Sequence, residues 1–362
     1  MSNATPTDRW ELGSEFDWHD TLASTTPVVD VFPPEHTLFS TGRAALLTLG
    51  RLLNLGCGRR VCHLPSYFCP EVSAALESEF DLDWYRDLPN EPTADLATLR
   101  PVPGDVVLAV NLFGMRDRTD WDEWRGDHDG IILVEDHTHD PLSSWAKRST
   151  ADYAFASLRK TLPIPDGAVV WSPRSLLLPT PTSPPPASAH NKLAAMVLKR
   201  AYLRGADVPK EAYRDLQRGS EHALTREIDS AASAFTSAIL SVLDIPGLRR
   251  RREANTRLFL TVLNESRSFS AKPLFLAWPD GNVPYNPALV FETGDQRDVF
   301  RNHLMGSNVF CPVHWQLNAG GVHSGDPDAL DLSQRIMTVP VDHRNSPEDV
   351  IRIVEVMASL DL

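Results

Sequence analysis

The sequence predicts an α/β protein with a mainly parallel sheet covered by helices on both faces, followed by a smaller C-terminal α+β domain. Three observations carry this. Short apolar runs at 60–64, 105–112, 131–135, 153–157 and 168–172 alternate with helical or turn-like stretches, the spacing of strands in a doubly covered sheet. Beyond residue 271 the pattern changes to shorter strands and helices. At 362 residues, the chain is long enough for a large core with an appended domain. The boundaries read as an N-terminal arm at 1–37, a large domain at 38–245 and a small domain at 246–362.

In order along the chain, a polar, loosely held arm runs to about His36. Ser40 or Thr41 then caps a helix whose apolar face is built by leucines 46, 47, 49, 52 and 53. The strand runs follow. Residues 173–186 are crowded with proline, serine and threonine and read as an irregular connection. Helices resume near Ala189, 231–243 has the pattern of an amphipathic helix, and the charged run Arg249 to Glu253 is expected to begin another whose arginines form a solvated face. Strands are expected at 273–277, 288–292 and 336–339, with a helix at 296–305. A last helix starts at Pro347 behind Ser346, with Glu348 and Asp349 in its first turn. There is no internal repeat of the solenoid kind.

Composition narrows the function classes. A net charge of -13, with 42% hydrophobic and 23% charged residues, argues against a nucleic-acid or anionic-membrane surface. There is no apolar run of membrane-span length and no secretory layout at 1–15, so a cytoplasmic location is expected. Cys57, Cys62, Cys69 and Cys311 lack Cys-x-x-Cys spacing and read as buried thiols rather than zinc ligands or disulfides. No metal is expected.

Lys160 is the most informative residue. It lies three residues after Ser157, beyond an apolar run, and downstream of the strand-borne Asp136 in Val134-Glu135-Asp136-His137-Thr138-His139. A lysine amine that can form a Schiff base with an aldehyde, and a carboxylate that keeps a pyridine nitrogen protonated, are what a pyridoxal 5'-phosphate (PLP) site requires. Functional residues of such sheets collect just beyond strand ends, where Asp136, Ser157 and Lys160 are expected.

Six segments carry a resemblance: Ser40-Thr41-Gly42-Arg43-Ala44-Ala45-Leu46, Leu64-Pro65-Ser66-Tyr67-Phe68-Cys69-Pro70, Asn111-Leu112-Phe113-Gly114, Glu135-Asp136-His137-Thr138-His139, Asp152-Tyr153-Ala154-Phe155-Ala156-Ser157 with Lys160, and Pro340-Val341-Asp342-His343-Arg344. In this order they resemble the DegT/StrS family of PLP-dependent sugar aminotransferases, of fold type I. The resemblance implies PLP as cofactor, Lys160 as Schiff-base lysine and proton shuttle, and Asp136 at the pyridine nitrogen. It further implies His139 near the phenolic oxygen, an aromatic stack from Tyr67 or Phe68, and phosphate binding by Gly42, Arg43 and Ser157. Arg43 stands where the family has a small hydroxyl residue, and Ala168 where a second glycine is common. The Ser-x-x-Lys spacing is closer than in many sugar aminotransferases.

The implied reaction moves an amino group from an amino-acid donor, glutamate foremost, to a small-molecule keto acceptor, a nucleotide-linked keto-sugar in the family's usual case. The resemblance also implies a homodimer with the cofactor near the subunit interface, where the N-terminal arm and 173–186 are candidates to cross. Two other readings stay open at this point: a PLP enzyme of elimination or dehydration, and a non-catalytic family member.

Overall fold

The computed structural model describes residues 9–13, 15–18, 31–266 and 271–360. In chain order the elements are β1 (Leu12–Gly13), β2 (His36–Phe39), α1 (Gly42–Asn54), β3 (Arg60–Pro65), α2 (Pro70–Leu76), β4 (Phe80–Tyr85), β5 (Val106–Val110), α3 (Thr119–Gly126), β6 (Ile132–Asp136), α4 (Ser144–Lys147), β7 (Tyr153–Ala156), β8 (Ala168–Trp171), α5 (Ala187–Leu203), α6 (Lys210–Leu224), α7 (Ala234–Leu240), α8 (Ile245–Glu265), β9 (Lys272–Pro273), β10 (Ala288–Val290), α9 (Gly294–Gly306), β11 (Val309–Phe310), α10 (Pro327–Arg335), β12 (Ile336–Thr338) and α11 (Pro347–Ala358).

Seven strands form one sheet in the order β2-β8-β7-β6-β5-β3-β4. Strands β3 to β7 are mutually parallel, whereas β8 runs antiparallel to both β7 and β2. The run Val-Val-Leu-Ala-Val of β5 is buried throughout, as a strand covered on both faces must be. Its side chains alternate between two cores. Val106, Leu108 and Val110 pack with Leu46 and Leu49 of α1, while Val107 and Ala109 pack with Trp121, Trp124 and Trp145 from α3 and α4.

The C-terminal part is built on the antiparallel sheet β12-β10-β9. Its core joins Phe259 and Leu263 of α8, Phe300 and Leu304 of α9, and Val350, Ile353 and Val354 of α11. Helix α8 bridges the two parts, because its first turn gives Ile245 and Leu248 to the core beside β8. The described part of the N-terminal arm is docked rather than loose. Strand β1 pairs in parallel with β11, and the Trp10 indole N–H donates to Asp349 at 2.7 Å.

Several elements differ from expectation for definable reasons. Strand β2 lies partly inside the segment read as an arm, because four residues at a sheet edge carry too little periodicity to be read. Strand β4, Phe-Asp-Leu-Asp-Trp-Tyr, was not expected; it is the opposite edge, where exposed Asp81 and Asp83 break the apolar pattern. Helix α7 is shorter than 231–243, since Ala231 bridges to Phe39 and Ser233 caps the helix. The strand expected at 273–277 shrinks to β9, and α10, behind an Asp326 cap, was missed. Residues 173–186 contain no helix or named strand. No helix among the described residues is long and apolar enough to cross a membrane.

Candidate active site

Parallel β5, β6 and β7 end at one edge of the sheet, and the N-terminus of α1 opens at the same place. Thr41 caps α1 by accepting the Ala44 N–H at 3.0 Å. The N–H groups of Gly42 and Arg43 precede the first helical acceptor, so the helix itself cannot satisfy them; such a terminus favours an anion. A glycine is suited to position 42 because a Cβ there would lie 3.1 Å from the Ser157 Cβ. Gly42, Arg43, Asp136, His139, Ser157 and Lys160 all line one cavity at this edge.

Asp136 is the last residue of β6 and is buried. Its Oδ1 accepts the Thr138 N–H at 2.8 Å, and the Thr138 hydroxyl oxygen accepts the Ser157 N–H at 3.0 Å. Burial pushes the Asp136 carboxyl above its ordinary range, against the opposing Thr138 hydrogen bonds and the His137 charge. No cationic side chain forms an ion pair with it among the described residues. A buried carboxylate without a cation is costly, so Asp136 suits a ligand that brings its own positive group.

Lys160 ends a short 3-10 turn, Leu158–Lys160, that follows β7 directly. Its N–H donates to the Ser157 carbonyl at 3.2 Å. The side chain is accessible because it projects into the cavity, yet the walls surround it closely. The adjacent Arg159 charge, then desolvation, hold its amine below the ordinary lysine range, with Glu221 opposing. A larger neutral fraction makes a better nucleophile and proton acceptor.

Downstream, the turn is pinned by Asp166. Its carboxylate accepts from the Ser233 N–H and hydroxyl, each at 2.7 Å, and from the Thr236 hydroxyl at 2.6 Å. Gly167 follows at φ +127°, where a Cβ would come within 2.9 Å of the Thr236 methyl. The glycine is required there by both conformation and space.

Three expectations are refined. Phe68 lines the cavity, but Tyr67 does not. Tyr67 is fully buried, donating to the His314 carbonyl at 2.5 Å and accepting the Trp315 N–H at 3.1 Å, because a buried hydroxyl must find partners. Arg43 does reach the cavity, but its guanidinium is turned away, donating to the Thr225 carbonyl and lying 3.6 Å from Glu71. His139 accepts the Phe113 N–H on Nδ1 at 2.9 Å, which places its proton on Nε2. Burial, then the charges of Lys160 and Arg252, depress its pKa to about 3, so it is a neutral donor. Among the other acidic-motif residues, His137 pairs with Glu135 at 2.9 Å, and Asp140 holds Arg249 at 2.7 Å.

Sequence reasoning missed the facing wall. Tyr285, His314 and Trp315 come from the C-terminal part and line the cavity; the His139 ring stacks on Tyr285 at 4.8 Å and on Trp315 at 5.7 Å. Burial, then His139 and Lys160, depress His314 to about 3. Glu221 of α6 was also missed. It pairs with Arg159 at 2.8 Å and with the buried Lys192 at 2.6 Å. Burial would raise its pKa, but Arg159, Lys192 and Lys160 together hold it well below the carboxylate range. None of these residues lies in a segment of recognisable spacing.

The chain shares its fold with solved structures described as aminotransferases. Three solved structures illustrate it. The PLP-form of Spr1654 from Streptococcus pneumoniae, which carries a provisional sugar-aminotransferase assignment, is 14% identical over 97% of this chain and 98% of its own, with a TM-score of 0.67. DesI, solved in the presence of its TDP-sugar product, is 15% identical over 90% of this chain and 80% of its own, with a TM-score of 0.56. A DegT DnrJ EryC1 StrS aminotransferase from Brucella abortus is 13% identical over 89% and 85%, with a TM-score of 0.55. Identities this low establish a shared fold. No protein-family model and no curated protein sequence matches the chain.

Proposed function

We propose that this chain is a PLP-dependent aminotransferase that moves an amino group from an amino-acid donor to a keto acceptor, in the manner of the DegT/StrS enzymes. The observation that carries the reading is the juxtaposition of Lys160 with the buried carboxylate of Asp136, which forms no ion pair among the described residues, in one cavity beside the open N-terminus of α1. When bound, PLP would supply an electron sink for the carbanion left by proton removal.

The chain's own residues perform the rest. Lys160, with its lowered pKa, would hold the cofactor covalently and move a proton at its Nζ. Asp136 would bind the ring nitrogen and keep it charged. The Gly42 and Arg43 amides and the Ser157 hydroxyl would hold the phosphate. Phe68 would cover a ring face and exclude water. His139, held neutral, would present Nε2–H as a donor to the ring oxygen.

The acceptor class proposed is a nucleotide-linked keto-sugar, supported by the fold shared with DesI, solved in the presence of its TDP-sugar product. A homodimer and a cytoplasmic location belong to the same proposal. The test is stoichiometry: PLP-loaded protein mixed with glutamate should release one 2-oxoglutarate per site and no ammonia, and then aminate an added keto-sugar nucleotide. Ammonia release without formation of an aminated sugar nucleotide would instead identify an elimination enzyme.

A further inference from the structure

The segment Pro340-Val341-Asp342-His343-Arg344 takes no part in the proposed chemistry; it seats the N-terminal arm. The Arg344 guanidinium, paired with Asp342 at 2.7 Å, donates to the Gly13 and Glu15 carbonyls at 3.4 and 3.3 Å and lies over the Phe16 ring, 4.4 Å from its centroid. Phe16 in turn stacks on His343 at 5.4 Å. From α5, the buried Lys199 donates to the same Glu15 carbonyl at 2.7 Å. Two cations thus hold the arm backbone at Glu15, whose side chain lines a second chamber together with Arg159, Lys160 and Glu221.

Four charges alternate behind Lys160. Glu15 reaches Lys192 of α5 at 3.0 Å, Lys192 reaches Glu221 of α6 at 2.6 Å, and Glu221 accepts two bonds from Arg159, at 2.8 and 2.9 Å. Arg159 adjoins Lys160 in the turn after β7. Two carboxylates and two cations, drawn from four separate parts of the chain, therefore sum to zero. Burial would raise the Glu15 pKa, but Lys192 and Arg159 hold it below the ordinary carboxylate range, with Glu221 opposing them, so Glu15 is charged at neutral pH. Lys192 is buried, and its charge has to be met inside the protein. Without Glu15, Glu221 alone would serve both cations, and the cluster would carry a net positive charge beside the Lys160 amine. The other titratable groups around Lys160 are Cys69, Asp136, His139, Tyr285 and His314. Facing Glu15 across the second chamber are Arg252, Arg301 and the Asp342–Arg344 pair. All of these remain when Glu15 alone is replaced.

We propose that Glu15 is a positioning residue for Lys160, acting through Lys192, Glu221 and Arg159: the seated arm supplies the fourth charge, which makes the cluster neutral and leaves Glu221 free to hold the Arg159 guanidinium. The proposal rests on the reading of Lys160 as the reactive lysine and gives the N-terminal arm a part in that role. A like charge nearby disfavours the protonated amine, and an opposite charge favours it. The sign of the cluster's net charge therefore sets the direction in which Lys160 responds.

The experiment is competitive acetylation of the full-length protein with acetic anhydride across a pH series. Mass spectrometry of the Lys160 peptide then reads the midpoint of that amine without any cofactor. Glu15→Gln should lower the midpoint by about 0.5 pH unit or more, less than a charge in direct contact would cause. Lys192→Gln should raise it, and the doubly substituted protein, neutral again, should return close to the unaltered value. Detachment of the arm for purely structural reasons would move both single variants the same way. An unchanged midpoint in Glu15→Gln, or shifts of one sign in the two single variants, would overturn the proposal. Should Lys192→Gln fail to fold, Glu15→Asp decides: it is expected to recover part of the shift, and a midpoint equal to that of Glu15→Gln would overturn the proposal. PLP capture by the same preparations is measured separately. Capture at Lys160 with an unmoved acetylation midpoint removes the role of Glu15 alone, whereas absence of capture removes the aminotransferase reading and leaves the cluster to the acetylation result.

Discussion

The two walls of the candidate site are built on different principles. The wall at the strand ends draws Asp136 from β6, Ser157 and Lys160 from the turn after β7, and Gly42 from the helix after β2. Each lies where a regular element stops, so its position follows from the sheet. The facing wall draws Tyr285, His314 and Trp315 from loops of the C-terminal part and Glu221 from α6. Those positions follow from packing between distant segments. The first wall has the groups suited to a cofactor, whereas the second has the charges and rings that tune Lys160 and shape what approaches it. Chemistry is expected to depend on the first wall and its pH response and substrate choice on the second.

Substitutions on the two walls sharpen this division. The largest effect is expected for Lys160→Ala, which should remove covalent cofactor capture and all transamination while preserving the circular-dichroism spectrum. Turnover near the unaltered rate would place the chemistry elsewhere. Asp136→Asn should keep PLP bound but lower kcat by about 10²–10³-fold, the scale of losing one preorganised electrostatic partner. An unchanged kcat would leave Asp136 a structural residue.

Between the walls, Arg159 of the turn that carries Lys160 pairs with Glu221 of the facing wall; Arg159→Gln removes the charge that most depresses the Lys160 pKa and leaves Glu221, which raises it. Because the neutral amine reacts, the midpoint of PLP capture against pH should move upward, with capture in the substituted protein slower below that midpoint. A downward movement would contradict the proposed electrostatic balance. The smallest effect is expected for Thr41→Ala, which removes the α1 cap and should lower unfolding stability by about 1 kcal/mol in urea titration.

The legibility of the two walls differs for the same physical reason. Strand β5 could be read because its unbroken apolar run is dictated by burial on both faces. The α1 start could be read because capping is a local hydrogen bond, although Ser40 and Thr41 could be told apart only by seeing Thr41 accept the Ala44 N–H. The strand-end placement of Lys160 and Asp136 in one cavity could be read because each follows an apolar run that burial dictates. Strand β4 was hidden by Asp81 and Asp83, which an edge tolerates. Glu221 was hidden because its partners, Arg159 and Lys192, lie 62 and 29 residues away. Tyr67 and Phe68 are adjacent in sequence, and only the contacts of the Tyr67 hydroxyl with the 314–315 segment separate a buried anchor from a cavity wall.

The central claim is that Lys160 is the residue that bonds the cofactor. Its most direct test is borohydride reduction of the PLP-treated protein, followed by proteolysis and mass spectrometry. One reduced pyridoxyl adduct per chain, located on the peptide containing Lys160 and absent from Lys160→Ala, is the expected result. An adduct confined to another lysine, or no adduct under saturating PLP, would contradict the assignment.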